Sequence, residues 1–229
     1  MKKEMVGDVP GNVLGMMADL CHKLRDGTLT PQEMALFLKR ENPFSTDFGG
    51  LLRQWEKFYQ KYLGLENDFS ELKIPQFQEG FGRLLVIAQG LTPNQVFGAC
   101  QKEFSCWRYT EDLDEAVRGR NDRESNESYA IWVRDRIEPD EELKNLSANR
   151  LRETGINCIT LLERLVYELK FWSETRKQLD VVNWTLCAGS RYSYGSVPIA
   201  SWFDDMFKVY WFNPDNASGG LCARSVVSC

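Results

Sequence analysis

Few side chains in this sequence could catalyse a reaction or hold a metal ion. The one histidine, His22, lies in a stretch of helical spacing, where a surface position is the usual interpretation. A single histidine argues against Ser-His-Asp and Cys-His catalysis, and no phosphate-binding glycine loop is present. Asp204, Asp205 and Asp215 could gather a hard cation, although loop carboxylates usually face solvent. We therefore expect no catalytic residue, no metal site and no cofactor.

Composition indicates which partners, which cellular location and which state of the cysteines to expect. A net charge of -5 with a pI near 5.2 supplies no basic field, so nucleic acid and an anionic membrane surface are poor partners. Membrane insertion is not expected either, because no stretch is apolar enough. The start lacks a secretory signal and no later stretch spans a bilayer, so a cytoplasmic location is the default expectation. The seven cysteines show no Cys-x-x-Cys pair, which favours free, mostly buried thiols.

The elements that would position a site fall into two regions. We predict that residues 1–64 form a small helical region, because apolar residues recur there at helical spacing. Examples are Val13, Met17, Leu20 and Leu24. We predict that residues 65–229 form a mixed α/β (α+β) domain with a mostly antiparallel sheet and flanking helices.

Particular stretches carry this prediction for the second region. "GRLLVIAQG" and "VVNWTLC" are typical of short strands, and "SYAIWVRDRI" alternates like a strand with one buried face. Helices are predicted to begin at Thr92 and Thr160, where Gln95 and Glu163 complete capping boxes. The charged stretch between residues 110 and 128 predicts a solvated loop or a frayed helix.

The C-terminal stretch from Gly189 has an unusual composition. An apparent frame, S-R-x-S-x-G-x-V-P-x-A-S-W, then V-x-W-x-x-P-D-N, then L-x-A-R-S-V-V-S, is interrupted by aromatic and small polar residues. Such residues are favoured in binding loops, because aromatics give contact area at low entropic cost. The residues that fill the gaps, and that we predict to bind a ligand, are Tyr192, Tyr194, Ser196, Ile199, Phe203, Asp204, Asp205, Tyr210, Phe212, Asn213, Ala217, Ser218, Gly219, Gly220 and Cys222.

These motifs resemble those of a known family. The chain resembles the variable proteins of diversity-generating retroelements, in particular the group found in archaeal and candidate-phylum genomes. The motifs that carry the resemblance are "NWTLCAGSR", "VPxASW", "VxW", "PDN" and "LxARSVVS". The resemblance implies a C-type lectin-like fold that ends in a hypervariable segment, here about residues 189–223. Gly-Ser-Arg stands here where lectin-fold variable proteins have Gly-Gly-Ser-Trp.

In that family a reverse transcriptase rewrites template adenines, mostly in AAY codons. Mutating the two adenines cannot yield Lys, Glu, Gln, Met or Trp. Every gap residue belongs to the reachable set, whereas Trp202 and Trp211 of the frame do not. The resemblance therefore implies a binding protein, not an enzyme, whose ligand is unknown and is a protein or another macromolecule.

Three expectations follow for the structure. Trp184, Trp202 and Trp211 should be buried and Arg224 paired, because they hold the backbone while neighbouring residues change. The gap side chains should face outward on one surface. Two alternatives stay open: a calcium-dependent sugar-binding lectin, suggested by "WFNPDN", and a formylglycine-generating-enzyme-like oxidase that uses Cys222 and Cys229.

Overall fold

The computed structural model describes residues 11–38 and 48–229. The chain divides into two units, Met1–Phe48 and Gly49–Cys229. The first unit contains helices α1 (Gly11–Asp26) and α2 (Pro31–Leu38), both within the region that was predicted to be helical. Helix α3 (Phe48–Leu63), which we predicted in the N-terminal region, lies almost entirely in the second unit. Its Tyr59 is buried there and donates a hydrogen bond to the carbonyl of Val86 at 2.7 Å.

The second unit alternates short strands and helices. After α3, its further elements in chain order are β1 (Arg83–Ile87), α4 (Pro93–Glu103), β2 (Cys106–Arg108), α5 (Leu113–Val117), β3 (Tyr129–Val133), a 3-10 turn (Glu141–Leu143), α6 (Ala148–Glu153), α7 (Leu161–Thr175), β4 (Trp184–Leu186), β5 (Val197–Phe203), β6 (Met206–Phe212), β7 (Leu221–Ala223) and β8 (Val226–Val227). The sequence had predicted β1, β3, β4, α4 and α7. It missed β2, β5, β7, β8 and α6, of which β2, β7, β8 and α6 are too short to show a period.

The strands form two sheets. One is antiparallel with the order β1-β3-β8, and the other has the order β2-β6-β5-β4-β7. In the second sheet β2 runs parallel to β6 and β4 runs parallel to β7, whereas β4-β5 and β5-β6 are antiparallel. The mixed α+β class with a mostly antiparallel pairing is therefore confirmed.

Strand β3 differs from its prediction. The alternation in "SYAIWVRDRI" predicted one buried face, but Ala130, Ile131, Trp132 and Val133 are all buried. The reason is that both faces of β3 are covered, since residues that point to opposite faces of the strand are buried alike. A strand covered on both faces does not need the polar face that a half-solvated strand shows.

Helix α7 supports the C-terminal segment. Its predicted capping box is present, with Thr160 and Glu163 exchanging hydrogen bonds, and most of its length is buried. The backbone N–H of Leu161 donates to the Ser190 hydroxyl at 2.9 Å. The start of the C-terminal segment is thereby attached to the amino end of the helix.

Among residues 11–38 and 48–229, no helix is long and apolar enough to cross a membrane.

Candidate ligand-binding surface

A buried network of charges lies beneath the C-terminal segment. Arg224 contacts Asp180 at 2.5 Å, and Arg164 contacts both Asp180 and Glu168 at 2.7 Å. All four side chains are excluded from solvent. Burial raises the pKa of Glu168, and the adjacent Arg164 opposes that shift. The expected pairing of Arg224 is confirmed, and it joins the end of β7 to α7.

Gly189 is required where the segment begins. A Cβ atom at this position would lie 2.5 Å from the carbonyl oxygen of Cys158, closer than packed atoms can approach. The Gly189 N–H donates to the carbonyl of Ile159 at 3.1 Å, and the next hydroxyl, of Ser190, donates to Asn121 at 2.6 Å. The Gly-Ser pair is thus a fixed part of the frame.

The three frame tryptophans do not share one environment. Trp202 is 8% exposed and Trp184 is half-buried, but Trp211 is 47% exposed. The prediction that Trp211 is buried is therefore wrong. Trp211 comes near the end of β6, beyond the span where β2 pairs with that strand, and its ring meets that of Tyr109 edge-on at 6.1 Å.

Three of the predicted ligand-binding residues are buried, which corrects their predicted outward orientation. Tyr192 and Ile199 are each 2% exposed, and Cys222 is fully buried. Tyr192 turns inward because its hydroxyl donates to the carbonyl of Tyr210 at 3.3 Å. Ile199 lies on β5 and Cys222 on β7, and successive residues of both strands are buried except Phe203 at the end of β5, so both faces of these strands are covered.

The other predicted residues reach solvent. Tyr194 is 97% exposed, and the loop that carries it is closed by a hydrogen bond from Tyr192 N to Ser196 O at 2.7 Å. The exposed members are Tyr194, Phe203, Asp204, Asp205, Asn213, Ala217, Ser218, Gly219 and Gly220, and the half-buried ones are Ser196, Tyr210 and Phe212.

Asp204 and Asp205 form the two-residue turn between β5 and β6. Both have left-handed backbone angles, with φ of 53° and 54°, as a tight hairpin turn requires. Asp, Asn and Gly adopt this conformation at low cost. Exchange at these two positions is therefore restricted by the backbone as well as by the ligand.

A strip of side chains runs from this turn along the hairpin. Lys208 lies with its ammonium 4.7 Å from the ring centre of Phe203 and 3.5 Å from Asp204. Trp107 on β2 is the register partner of Lys208. The Trp107 ring also packs on that of Tyr210 at 4.7 Å. We call Trp107, Phe203, Lys208, Tyr210 and Phe212 the hairpin strip.

The strip connects predicted residues that lie far apart along the hairpin. The turn and Phe212 are at opposite ends of seven-residue strands, about 20 Å apart. Beyond Phe212 the contacts continue, since its ring packs on Trp184 at 5.7 Å and Trp184 N donates to Gly220 O at 2.8 Å. The hairpin turn and the loop before β7 are thus linked through residues that include Trp107 and Trp184.

Trp107 and Lys208 were missed by the sequence analysis. Lys208 lies outside the set that adenine mutagenesis can reach, and Trp107 is in a three-residue strand that shows no alternation. The signal for Trp107 was its place in "CWRYT", where two large aromatics follow the end of a predicted helix.

Two alternative functions were left open, a calcium-dependent lectin and a cysteine-based oxidase. The side chains that they would need do not lie together in one site. Asp215 follows the far end of β6, where it accepts a hydrogen bond from Asn149 at 2.6 Å, whereas Asp204 and Asp205 are in the turn. In the part of the chain that the structure describes, no cluster of three metal-binding side chains occurs. All seven cysteines are free thiols, as expected.

The reactivity of the cysteine thiols can test which cysteine side chains are buried. Burial raises the pKa of Cys222 to about 11 and that of Cys158 to about 12, so both stay protonated and unreactive at mildly alkaline pH. We expect iodoacetamide to modify the exposed Cys21 and Cys229 in native protein, and to reach Cys222, Cys158 and Cys187 only after denaturation. Peptide mass spectrometry measures this. Modification of Cys222 as fast as that of Cys229 would contradict the placement of Cys222.

No family model matches this chain. No curated protein and no solved structure matches it either. Its function is therefore inferred from its own residues and their arrangement.

Proposed function

We propose that this protein binds a macromolecular ligand through the hairpin strip and the exposed loops beside it. We further propose that it is a variable protein of a diversity-generating retroelement, with a C-type lectin-like fold. The exchangeable side chains would supply affinity for a ligand chosen by selection, and the buried frame would keep the backbone unchanged.

One observation supports this proposal above the others. Within a single C-terminal segment, most gap residues reach solvent, whereas the frame residues Val197, Ala200, Trp202 and Arg224 are buried. Exposed exceptions in the frame include Trp211, Asp215 and Asn216. A surface residue can be exchanged at a cost of about 0.5 kcal/mol or less, and a core residue cannot. This separation is what a surface that varies on a constant scaffold needs.

The chemistry of the strip also favours recognition. Phe203 and Trp107 are large aromatics with 53% and 41% of their surface exposed. Aromatic side chains dominate the binding energy of many protein interfaces, because they bury a large area with few rotatable bonds. Phe203 directly precedes Asp204 and Asp205 in the hairpin turn, and these carboxylates add polar groups that can orient a ligand.

Two libraries of the full chain test whether the surface is exchangeable. One varies the exposed Tyr194, Phe203, Asn213 and Ser218 with codons that end in a pyrimidine, and the matched control library varies the buried Tyr192, Ile199 and Cys222 in the same way. We expect most members of the first library to resist protease on a display platform, and most members of the second to be degraded. Equal survival of the two libraries would contradict the proposal.

Selection from the first library then tests recognition. Lysozyme serves as the probe, and we expect binders whose selected changes concentrate at Phe203 and its neighbours. Reverting those positions should abolish binding without changing the melting temperature. A well-folded library from which no binder can be selected would count against a recognition surface.

The retroelement assignment has a separate test in the DNA beside the gene. We expect a reverse transcriptase gene and a near-copy of the segment that encodes residues 189–223, differing from it only at adenines. A contiguous genomic sequence without such a copy would refute the retroelement assignment and leave the binding proposal standing.

A further inference from the structure

Strand β2 leaves the edge of the five-stranded sheet open. Its bonds to β6 use alternate residues, since Phe207 N donates to Ser105 O at 2.9 Å and Tyr109 N donates to Val209 O at 3.2 Å. In this alternation the N–H and C=O groups of Cys106 and Arg108 point away from β6. Among the described residues, none of these four backbone groups has a hydrogen-bond partner.

The opposite edge of the same sheet is closed. There, Asp140 N donates to Ala223 O at 2.9 Å and Asn145 N donates to Leu221 O at 3.0 Å, so the segment around the 3-10 turn covers β7. An uncovered edge strand is a template on which another chain can pair. The two edges of this sheet are therefore not equivalent, and only β2 offers that template.

Aromatic side chains accompany the open edge. Trp107 is 41% exposed and Tyr109 is 38% exposed, and they stand at alternate positions, as side chains beside an added strand would meet them. Cys106 and Arg108 face inward instead, where Arg108 donates to Asn94 at 2.6 Å and lies over the ring of Phe97. The edge thus combines unpaired backbone groups with an apolar flank.

Acidic groups stand at both ends of this edge. Asp204 and Asp205 in the hairpin turn are close to its start, because Phe207 is bonded to Ser105 there, and the exposed Glu111 follows its end. Lys208 neutralises Asp204 in part, at 3.5 Å, which leaves Asp205 and Glu111 to face a ligand. Charge complementarity therefore favours a basic partner.

From these observations we propose that β2 binds an extended, basic segment of a partner protein, which adds to the sheet as a sixth strand. Main-chain hydrogen bonds to Cys106 and Arg108 would hold the segment, as in other cases of strand addition. Its apolar residues would lie on Trp107 and its arginines or lysines would meet the two acidic ends. This inference rests on the proposed function, since Phe203, Asp204 and Asp205 would contact the same ligand.

The test replaces a single outward N–H group. Cys106→Pro removes the backbone N–H donor at this position but none of the hydrogen bonds to β6, and proline is tolerated on edge strands when its nitrogen faces solvent. The matched control is Cys106→Ala, which loses the thiol and keeps the N–H. Dodecapeptides selected from a random phage-displayed library against the full natural chain serve as probes.

We expect the selected peptides to be enriched in arginine and lysine and to bind the natural chain and Cys106→Ala equally. Cys106→Pro should bind them more weakly by on the order of tenfold, with an unchanged melting temperature. Hydrogen exchange of the Cys106 and Arg108 amides should slow when peptide is added, which keeps the test valid if the proline variant unfolds.

Three outcomes would overturn strand addition: no selectable peptide, peptides without basic residues, or binding with unprotected Cys106 and Arg108 amides. Phe203→Asn with Asp205→Asn separates the two proposals. If this double variant loses the peptides while Cys106→Pro, still folded, retains them, strand addition fails and the exchangeable surface stands. If the double variant binds normally and Cys106→Pro does not, the peptides use β2, the exchangeable surface fails, and the acidic contact at Asp205 is contradicted as well.

Discussion

Replacing Trp202 by alanine should destabilise the protein by about 3–5 kcal/mol. Trp202 is almost buried and packs against the rings of Phe104 at 5.2 Å and Phe207 at 6.1 Å. Its indole N–H also donates to the Glu168 carboxylate at 2.8 Å. The substitution would leave a cavity between these rings and remove one hydrogen bond from a buried acidic group. Urea unfolding followed by circular dichroism measures the loss.

Trp211→Ala is the matched control, because it removes the same side chain from the adjacent strand at an exposed position. We expect it to cost about 1 kcal/mol or less. Trp202→Phe separates the two causes, since it fills most of the space and lacks the N–H group. If Trp202→Ala and Trp211→Ala lowered the free energy of unfolding equally, Trp202 would not be a buried residue that stabilises the C-terminal segment.

Asp180→Asn should also destabilise the protein by about 3–5 kcal/mol, because it removes the anion between two buried guanidinium groups. The Asp180 carboxylate contacts Arg164 at 2.7 Å and Arg224 at 2.5 Å, and all three side chains are excluded from water. The backbone at residue 180 is left-handed, with φ of 55°. Asparagine tolerates that conformation, so the loss would report the charge and not backbone strain.

Glu153→Gln provides the control for a lost carboxylate charge. Glu153 pairs with Arg150 at 3.3 Å, and both side chains are more than half exposed, so we expect a change within about 0.5 kcal/mol. Thermal and urea unfolding of both variants at one pH makes the comparison. If Asp180→Asn were as mild as Glu153→Gln, the buried network would not be what holds β7 against α7.

Short-range residue patterns were enough to predict where two helices begin and where several strands lie. The boxes at Thr92 and Thr160 need only residues three positions apart, and both are present in the structure. Likewise, "GRLLVIAQG" contains β1 between its glycines. The burial of Trp202 and the pairing of Arg224 were also expected, from their places in the apparent frame.

What the sequence by itself determined is therefore the mixed α+β class and the major helices, whereas the division of the C-terminal segment into frame and gaps stays a prediction. Only the tertiary structure decided which gap residues reach solvent. Tyr192, Ile199 and Cys222 are of exchangeable types, but their exposure depends on strand neighbours that come from elsewhere in the chain. Trp107 joins the hairpin strip for the same reason: it is distant from β6 in sequence and becomes its neighbour only when β2 pairs with that strand.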